Sequence, residues 1–161
     1  MANQLLKGKR GIITGALDES SIAWKVAQRA HQEGAQFTLT NAPIAMRMGE
    51  IHKLAQATGA KVIPADATSL SDLNTLYQES MQVMGGKIDF VLHSIGMSVN
   101  IRKNLPYTAL NYEYFNKGID VSALSFHKML AVAHQLDALN ESASVVALTY
   151  RSEEHTSELQ S

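Results

Sequence analysis

A doubly wound α/β domain built on a parallel sheet is the fold class this sequence predicts, and three observations carry the prediction. Short apolar runs alternate with longer amphipathic stretches from residue 11 to residue 149. The apolar runs show little polar alternation, as expected of strands buried on both faces. Glycines close the helical stretches, at Gly34, Gly59 and the pair Gly85 and Gly86, where a left-handed residue ends a helix at low cost.

Residues 11–14 read as the first strand. Residues 20–33 read as a helix, with Ser20 as its N-cap and Ile22, Val26, Ala27 and Ala30 as its inner face. Residues 36–40 form the second strand, and one helix is expected over 45–58. The third strand spans 61–65; Pro64 cannot donate to a ladder, which places this strand at a sheet edge. In the helix over 69–84, Ser69 and Asp72 make a capping-box-like start, and Leu70, Leu73, Leu76 and Tyr77 form one stripe. Residues 88–93 are the fourth strand. A long helical region covers 111–139, interrupted near 118–121, and 144–149 are the fifth strand. Right-handed crossovers between such elements give a Rossmann-type strand order, 3-2-1-4-5.

The chain has 161 residues, enough for one domain with a hydrophobic core. Lys and Arg number 14 against 15 Asp and Glu, for a net charge of -1. No strong field draws in nucleic acid or an anionic membrane, so neither is expected as a partner. With no cysteine, disulfides, thiolate catalysis and Cys-ligated metals are excluded, and a reducing cytoplasm fits. The first ten residues lack the apolar segment of a signal peptide, and no apolar run reaches membrane-spanning length. His127 and His134 share a helix face without a carboxylate at ligand spacing, so no metal site is expected. Ser94 lacks the Gly-x-Ser-x-Gly setting of a hydrolase nucleophile. His93 reads as strand-end packing. Met46, Met48, Met81, Met84 and Met129 read as core filler.

The most informative segment runs from Gly8 through Gly15 and Ser21 to Ala23: a strand, a glycine turn and a helix start. A helix N-terminus presents unpaired N–H groups and the positive end of its dipole, which suits a pyrophosphate. The segment is not Gly-x-Gly-x-x-Gly, since the later glycines are missing, so a nucleotide site and a plain turn both stand at this point. At the end of the second strand, Thr40-Asn-Ala-Pro43 carries no acid for a ribose 2′-hydroxyl. Arg47 follows and reads as a solvated helix residue, which leaves NADH against NADPH open.

Together with this loop, the segments TGALDESSIAW, PADAT, DFVLHSIGM and VVALTY resemble bacterial enoyl-acyl-carrier-protein reductases, divergent short-chain dehydrogenases/reductases. The resemblance covers residues 5–150 in order. Ordinary short-chain dehydrogenases carry Thr-Gly-x-x-x-Gly-x-Gly and Asn-Asn-Ala-Gly at the corresponding places. The resemblance implies that Gly15, Ser21 and Ile22 contact the pyrophosphate side of NADH. It implies that Asp66 and Ala67 hold the adenine, and that Ser94, Ile95 and Gly96 line the ribose and nicotinamide path. Met97 and Tyr150 are implied at the substrate pocket. Family members often carry Gln where this chain has Ala42. The implied reaction is hydride transfer to C3 of a trans-2-enoyl thioester on acyl carrier protein, by a cytoplasmic homotetramer. A tyrosine stabilises the enolate and a lysine fixes the cofactor ribose. A subunit interface through Phe126, Met129, Leu130 and Ala133 is one reading of the long helix, and internal core is the other.

The family presents its catalytic pair as Tyr-x6-Lys. None of the five tyrosines, Tyr77, Tyr107, Tyr112, Tyr114 and Tyr150, has a lysine seven positions later. None has one four positions later either, the commoner spacing in the superfamily. Residues 151–161 are polar and resemble a translated sequencing adapter. The expectation is therefore a partial cofactor-binding domain over 1–150, truncated after the fifth strand and inactive alone, with a disordered non-native tail over 151–161. Residues 145–148 of that strand would present an open apolar edge. The rival readings are another short-chain dehydrogenase and a non-catalytic nucleotide-binding module with a genuine tail.

Overall fold

The structure is a computed structural model that describes residues 3–47 and 49–149. Its strands are β1 (Arg10–Thr14), β2 (Gln36–Thr40), β3 (Lys61–Val62), β4 (Ile88–His93) and β5 (Leu139–Ala147). Between them run α1 (Ile22–Gln32), α2 (Pro43–Met46), α3 (Ile51–Thr58), α4 (Leu70–Met84), α5 (Val99–Arg102), α6 (Tyr112–Ile119) and α7 (Ser125–Gln135). All pairings are parallel and the order is β3-β2-β1-β4-β5, as the sequence predicts.

Alternation along each strand builds a core on both faces of the sheet. Ile12 and Val91 pack on one face with Leu73, Leu76 and Tyr77 of α4 and Met129 of α7. Ile13 and Leu92 pack on the other with Ala23, Trp24 and Ala27 of α1 and Leu54 of α3. Met129 and Ala133 are each 1% exposed, which settles them as internal core. The exposed apolar side chains of this region lie instead at Tyr112, Phe115, Ile119 and Leu124.

Several local expectations are corrected. The N-cap of α1 is Ser21, not Ser20, and Ile22 is 60% exposed where an inner position was expected. Leu70 is likewise exposed at the first position of α4. Each is the first residue of its helix and points away from the sheet, while the same turn buries Ala23 and Trp24 in α1 and Leu73 in α4. The single helix expected over 45–58 is two, because the chain breaks between α2 and α3 to meet the loop after β1. Glu50 N–H donates to the Leu17 carbonyl at 2.7 Å. A Cβ at Gly49 would sit 2.6 Å from the same oxygen, so this approach requires glycine.

β3 lies at the edge as expected but ladders only through Lys61 and Val62. Beyond them Ile63 and Ala65 still donate to Leu39 and Asn41 carbonyls at 2.9 and 3.2 Å, with Pro64 interrupting between. The interruption of the long helix is a π-helical segment, Asp120–Leu124. The helix stops at Gln135 rather than 139, where Asp137 turns the chain at φ +48°.

β5 starts earlier and ends earlier than the expected 144–149. Its register jumps from Ile88↔Leu139 to Phe90↔Ser144, a bulge steadied by Asn140 Nδ2 donating to Asp89 Oδ1 at 3.0 Å. Among the described residues β5 pairs only with β4, leaving Val146 48% and Leu148 38% exposed. Among those residues no helix is long and apolar enough to cross a membrane.

Candidate nucleotide-binding site

The chain order places the site. From β1 the strands proceed outward through β2 to β3, then cross back to β4 and β5. The loops leaving β1 and β4 therefore part in opposite directions, opening a crevice at the carboxyl edge of the sheet. A cavity of about 310 Å³ lies there, lined by Ile22, Ser94, Ile95, Gly96, Leu148 and Thr149.

Thr14, the last residue of β1, locks the two strand ends together. Its hydroxyl donates to the Leu92 carbonyl at 3.0 Å and accepts the Ser94 N–H at 3.1 Å. Gly15 then turns at φ +82°, and its N–H donates to the Thr40 carbonyl at 3.1 Å. A Cβ on Gly15 would stand 1.8 Å from the Ser94 carbonyl oxygen, so only glycine lets the two loops meet. At Gly96 nothing lies within 4 Å of the place a Cβ would take, which leaves backbone facing open space.

The loop from Gly15 to Ser21 is tied to itself. The Ser21 hydroxyl donates to the Asp18 carbonyl at 2.8 Å and accepts the Leu17 N–H at 3.3 Å. Asp18 Oδ1 accepts the N–H and the hydroxyl of Ser20 at 2.9 and 2.6 Å. Those bonds, the Ser20 hydroxyl first, hold the Asp18 carboxyl below its ordinary range. Because Ser21 spends its hydroxyl inside the loop, it makes no side-chain bond to the first turn of α1. Trp24 and Lys25 N–H turn back to the Ser21 carbonyl at 3.1 and 3.4 Å, so among the described residues the Ile22 and Ala23 N–H groups, with the positive end of the helix dipole, remain available to an anion.

Asp66 and Ala67 follow β3 at the same sheet edge, two strands from the crevice, and do not line its cavity. Asp66 Oδ1 accepts both the N–H and the hydroxyl of Thr68 at 2.8 Å. The Thr68 N–H is the main cause that holds the Asp66 carboxyl below its usual value.

Met97 is also apart from the main cavity. It lines a neighbouring cleft of about 170 Å³ with Tyr114, Phe115, Gly118, Ile119 and Ser122. Its N–H donates to the Ser122 hydroxyl at 2.9 Å, and that hydroxyl reaches the Met97 carbonyl at 3.3 Å. Tyr150 lies outside the described residues, as do Met48 and residues 151–161.

Sequence reasoning missed Thr14, Leu148 and Thr149. Threonine at the end of β1 read as one more strand residue, and its two hydrogen bonds cross to a strand far along the chain.

His93 is buried, with its Nε2 2.7 Å from the Ser125 hydroxyl, which itself donates to the Val121 carbonyl at 2.6 Å. Ser125 therefore accepts, and Nε2 carries the proton. Burial pushes the imidazole below its ordinary pKa. This agrees with the reading of His93 as a packing residue at the strand end.

Known proteins share this arrangement. The crystal structure of a FabI-NADH complex from Alistipes finegoldii superposes with a TM-score of 0.91 at 53% identity, over 95% of this chain and 54% of that one. An enoyl-[acyl-carrier-protein] reductase (NADH) structure from Aquifex aeolicus gives a TM-score of 0.79 at 28% identity, over 91% of this chain and 62% of that one. The curated enoyl-[acyl-carrier-protein] reductase [NADH] 1 of Rhizobium meliloti is 32% identical over 92% of this chain and 54% of its own length. The chain spans about half the length of the curated relatives it matches. The family profile described as Enoyl-(Acyl carrier protein) reductase matches residues 15–160, and with the crevice, the glycine turn and the His-Ser-Ile-Gly strand end in place, the chain belongs to that family.

Proposed function

We propose that this chain forms the NADH-binding part of an enoyl-acyl-carrier-protein reductase. The observation that carries the reading is the meeting of Gly15 with the Ser94 carbonyl in the loop that leads to α1, whose N-cap Ser21 makes no side-chain bond to the helix. The residues fit a dinucleotide. The first turn of α1 offers N–H groups to a pyrophosphate, with Ile22 as an apolar wall beside it. The crevice between Ile22 and residues 94–96 accepts a flat ring. When bound, NADH supplies a hydride to the enoyl thioester. Asp66 and Ala67 are assigned to the adenine, and Met97 and Tyr150 to the acyl side.

The chain's own contribution is binding and orientation. Thr14 fixes the separation of the β1 and β4 ends, and Gly96 leaves room above the backbone. Reduction of an enoyl thioester also needs an acid to stabilise the enolate oxygen. No tyrosine of the 161 residues stands in a Tyr-x6-Lys spacing. We therefore assign nucleotide binding, and not turnover, to residues 1–150, with residues 151–161 taking no part. In the working enzyme the exposed apolar side chains of α6 and the π-helical segment would be covered by subunit contacts, as in a cytoplasmic tetramer.

Titration of the 161-residue chain with NADH by calorimetry tests the reading. Saturable binding in the micromolar range is expected, with no NADH oxidation when a trans-2-enoyl thioester of acyl carrier protein is added. An absence of NADH binding by chain shown to be folded would refute the reading. So would enoyl-dependent oxidation without an added catalytic segment.

A further inference from the structure

Lys128 lies in the first turns of α7 and is 26% exposed. Its ammonium donates to two acceptors from separate parts of the chain. One is the Thr68 carbonyl at 3.0 Å, in the turn after β3; the other is Asp120 Oδ1 at 2.6 Å, at the start of the π-helical segment. A π-helical turn inside a longer helix is costly and often accompanies a functional site. Here it brings Asp120 to the lysine and Ser122 to the Met97 backbone.

The turn that Lys128 holds is the one carrying Asp66. Thr68 donates twice to Asp66 Oδ1, and the Asp66 N–H donates to Asp72 Oδ2 at 2.9 Å. Among the described residues Asp66 Oδ2 has no hydrogen-bond partner, so one carboxylate oxygen remains for a ligand. After the Thr68 bonds, the charges of Lys117 and Lys128 also favour the ionised carboxyl. An ionised carboxylate accepts and cannot donate, which matches the exocyclic amine of adenine.

We infer that Lys128 is a positioning residue for the adenine end of the site: its ammonium ties the turn of Thr68 to Asp120 and thereby sets where the Asp66 carboxylate meets the base. The inference rests on the NADH reading above. Without the ammonium, the Thr68 carbonyl and Asp120 lose a shared partner, and among the described residues the Asp66 turn is tied down by its own bonds, by Asp72 and by the Ala65 N–H on the Asn41 carbonyl. The first turn of α1 and residues 94–96 keep their contacts, so the loss is confined to the adenine end.

The test compares the full chain with Lys128→Met and Lys128→Arg. Calorimetric titrations use ADP-ribose, which carries the adenine, and reduced nicotinamide mononucleotide, which does not. Lys128→Met is expected to weaken ADP-ribose about tenfold and the mononucleotide less than about twofold, with most of the ADP-ribose loss recovered in Lys128→Arg. Equal weakening of both probes, or of neither, overturns the inference while leaving the NADH reading intact. A folded wild-type chain that binds neither probe overturns the NADH reading, and this inference with it. Should Lys128→Met not fold, Asp120→Asn loosens the lysine from its other side. A selective ADP-ribose loss of about threefold then supports the inference, and no selective loss overturns it.

Discussion

Replacing Gly15 with alanine asks the two halves of the site to separate. The added Cβ would begin 1.8 Å from the Ser94 carbonyl oxygen. Non-bonded heavy atoms settle at roughly 3.5 Å, so the loops must open by about 1.7 Å. Two backbones meet here, and no flexible side chain can swing away. The residue also sits at φ +82°, where an L side chain adds about 1–2 kcal/mol. Opening the loops pulls Ser94 from the Thr14 hydroxyl and strains its bond to Leu92. Each is worth about 1 kcal/mol, against roughly 0.4–1 kcal/mol returned by a stiffer unfolded chain. A destabilisation of about 3 kcal/mol follows, read from urea unfolding with an unchanged slope. NADH affinity is expected to fall by about tenfold or more, because Ser94, Ile95 and Gly96 move together. A variant within about 0.5 kcal/mol of wild type that binds NADH equally well would refute the close approach itself.

Ile22→Asp puts an acid at the first position of α1 and a charge on the cavity wall. It is expected to raise helix stability by about 0.3–1 kcal/mol while weakening NADH about tenfold; both moving the same way would count against a phosphate at that turn. His93 is neutral and buried, with its pKa below the ordinary 6.5. The unfolded chain therefore binds the proton first, and the stability this group contributes is present above about pH 6.5 and lost as pH falls toward the folded value. Unfolding free energy is expected to drop by up to about 1.4 kcal/mol per pH unit below about pH 6.5, and His93→Gln to flatten that slope; parallel profiles would exclude the residue. Val146→Lys places a charge on the exposed edge strand. It is expected to lower light scattering on heating, an effect absent if that edge is not where chains associate. Removing residues 151–161 is expected to leave the NADH affinity within about twofold; a larger loss on titration would assign the tail a part in the site.

Much of this protein is legible in local pattern. Apolar runs determine the strands, glycine stops close the helices, and the regular alternation of strand and helix determines a parallel sheet with its switch point after β1 and β4. The edge place of β3 follows from Pro64 alone, since a missing N–H is a local fact. Sequence reading erred where a residue's neighbour comes from elsewhere. Ile22 and Leu70 fit an apolar stripe by spacing, yet each is the first residue of its helix and meets solvent while its neighbours in the same turn are buried. The break between α2 and α3 answers to the Leu17 carbonyl, and the bulge in β5 to Asp89 on the adjacent strand.

The site divides along the same line. Gly15 and residues 94–96 stand out as motifs because backbone conformation and close approach restrict which residues they can be. The roles of Thr14 and Lys128 depend on hydrogen bonds to strands and turns distant in the chain, and only the packed sheet brings those partners within 3.1 Å. Periodicity records which way a side chain faces. It carries no record of what the fold sets opposite, and that partner decides whether a polar group binds, positions or merely packs.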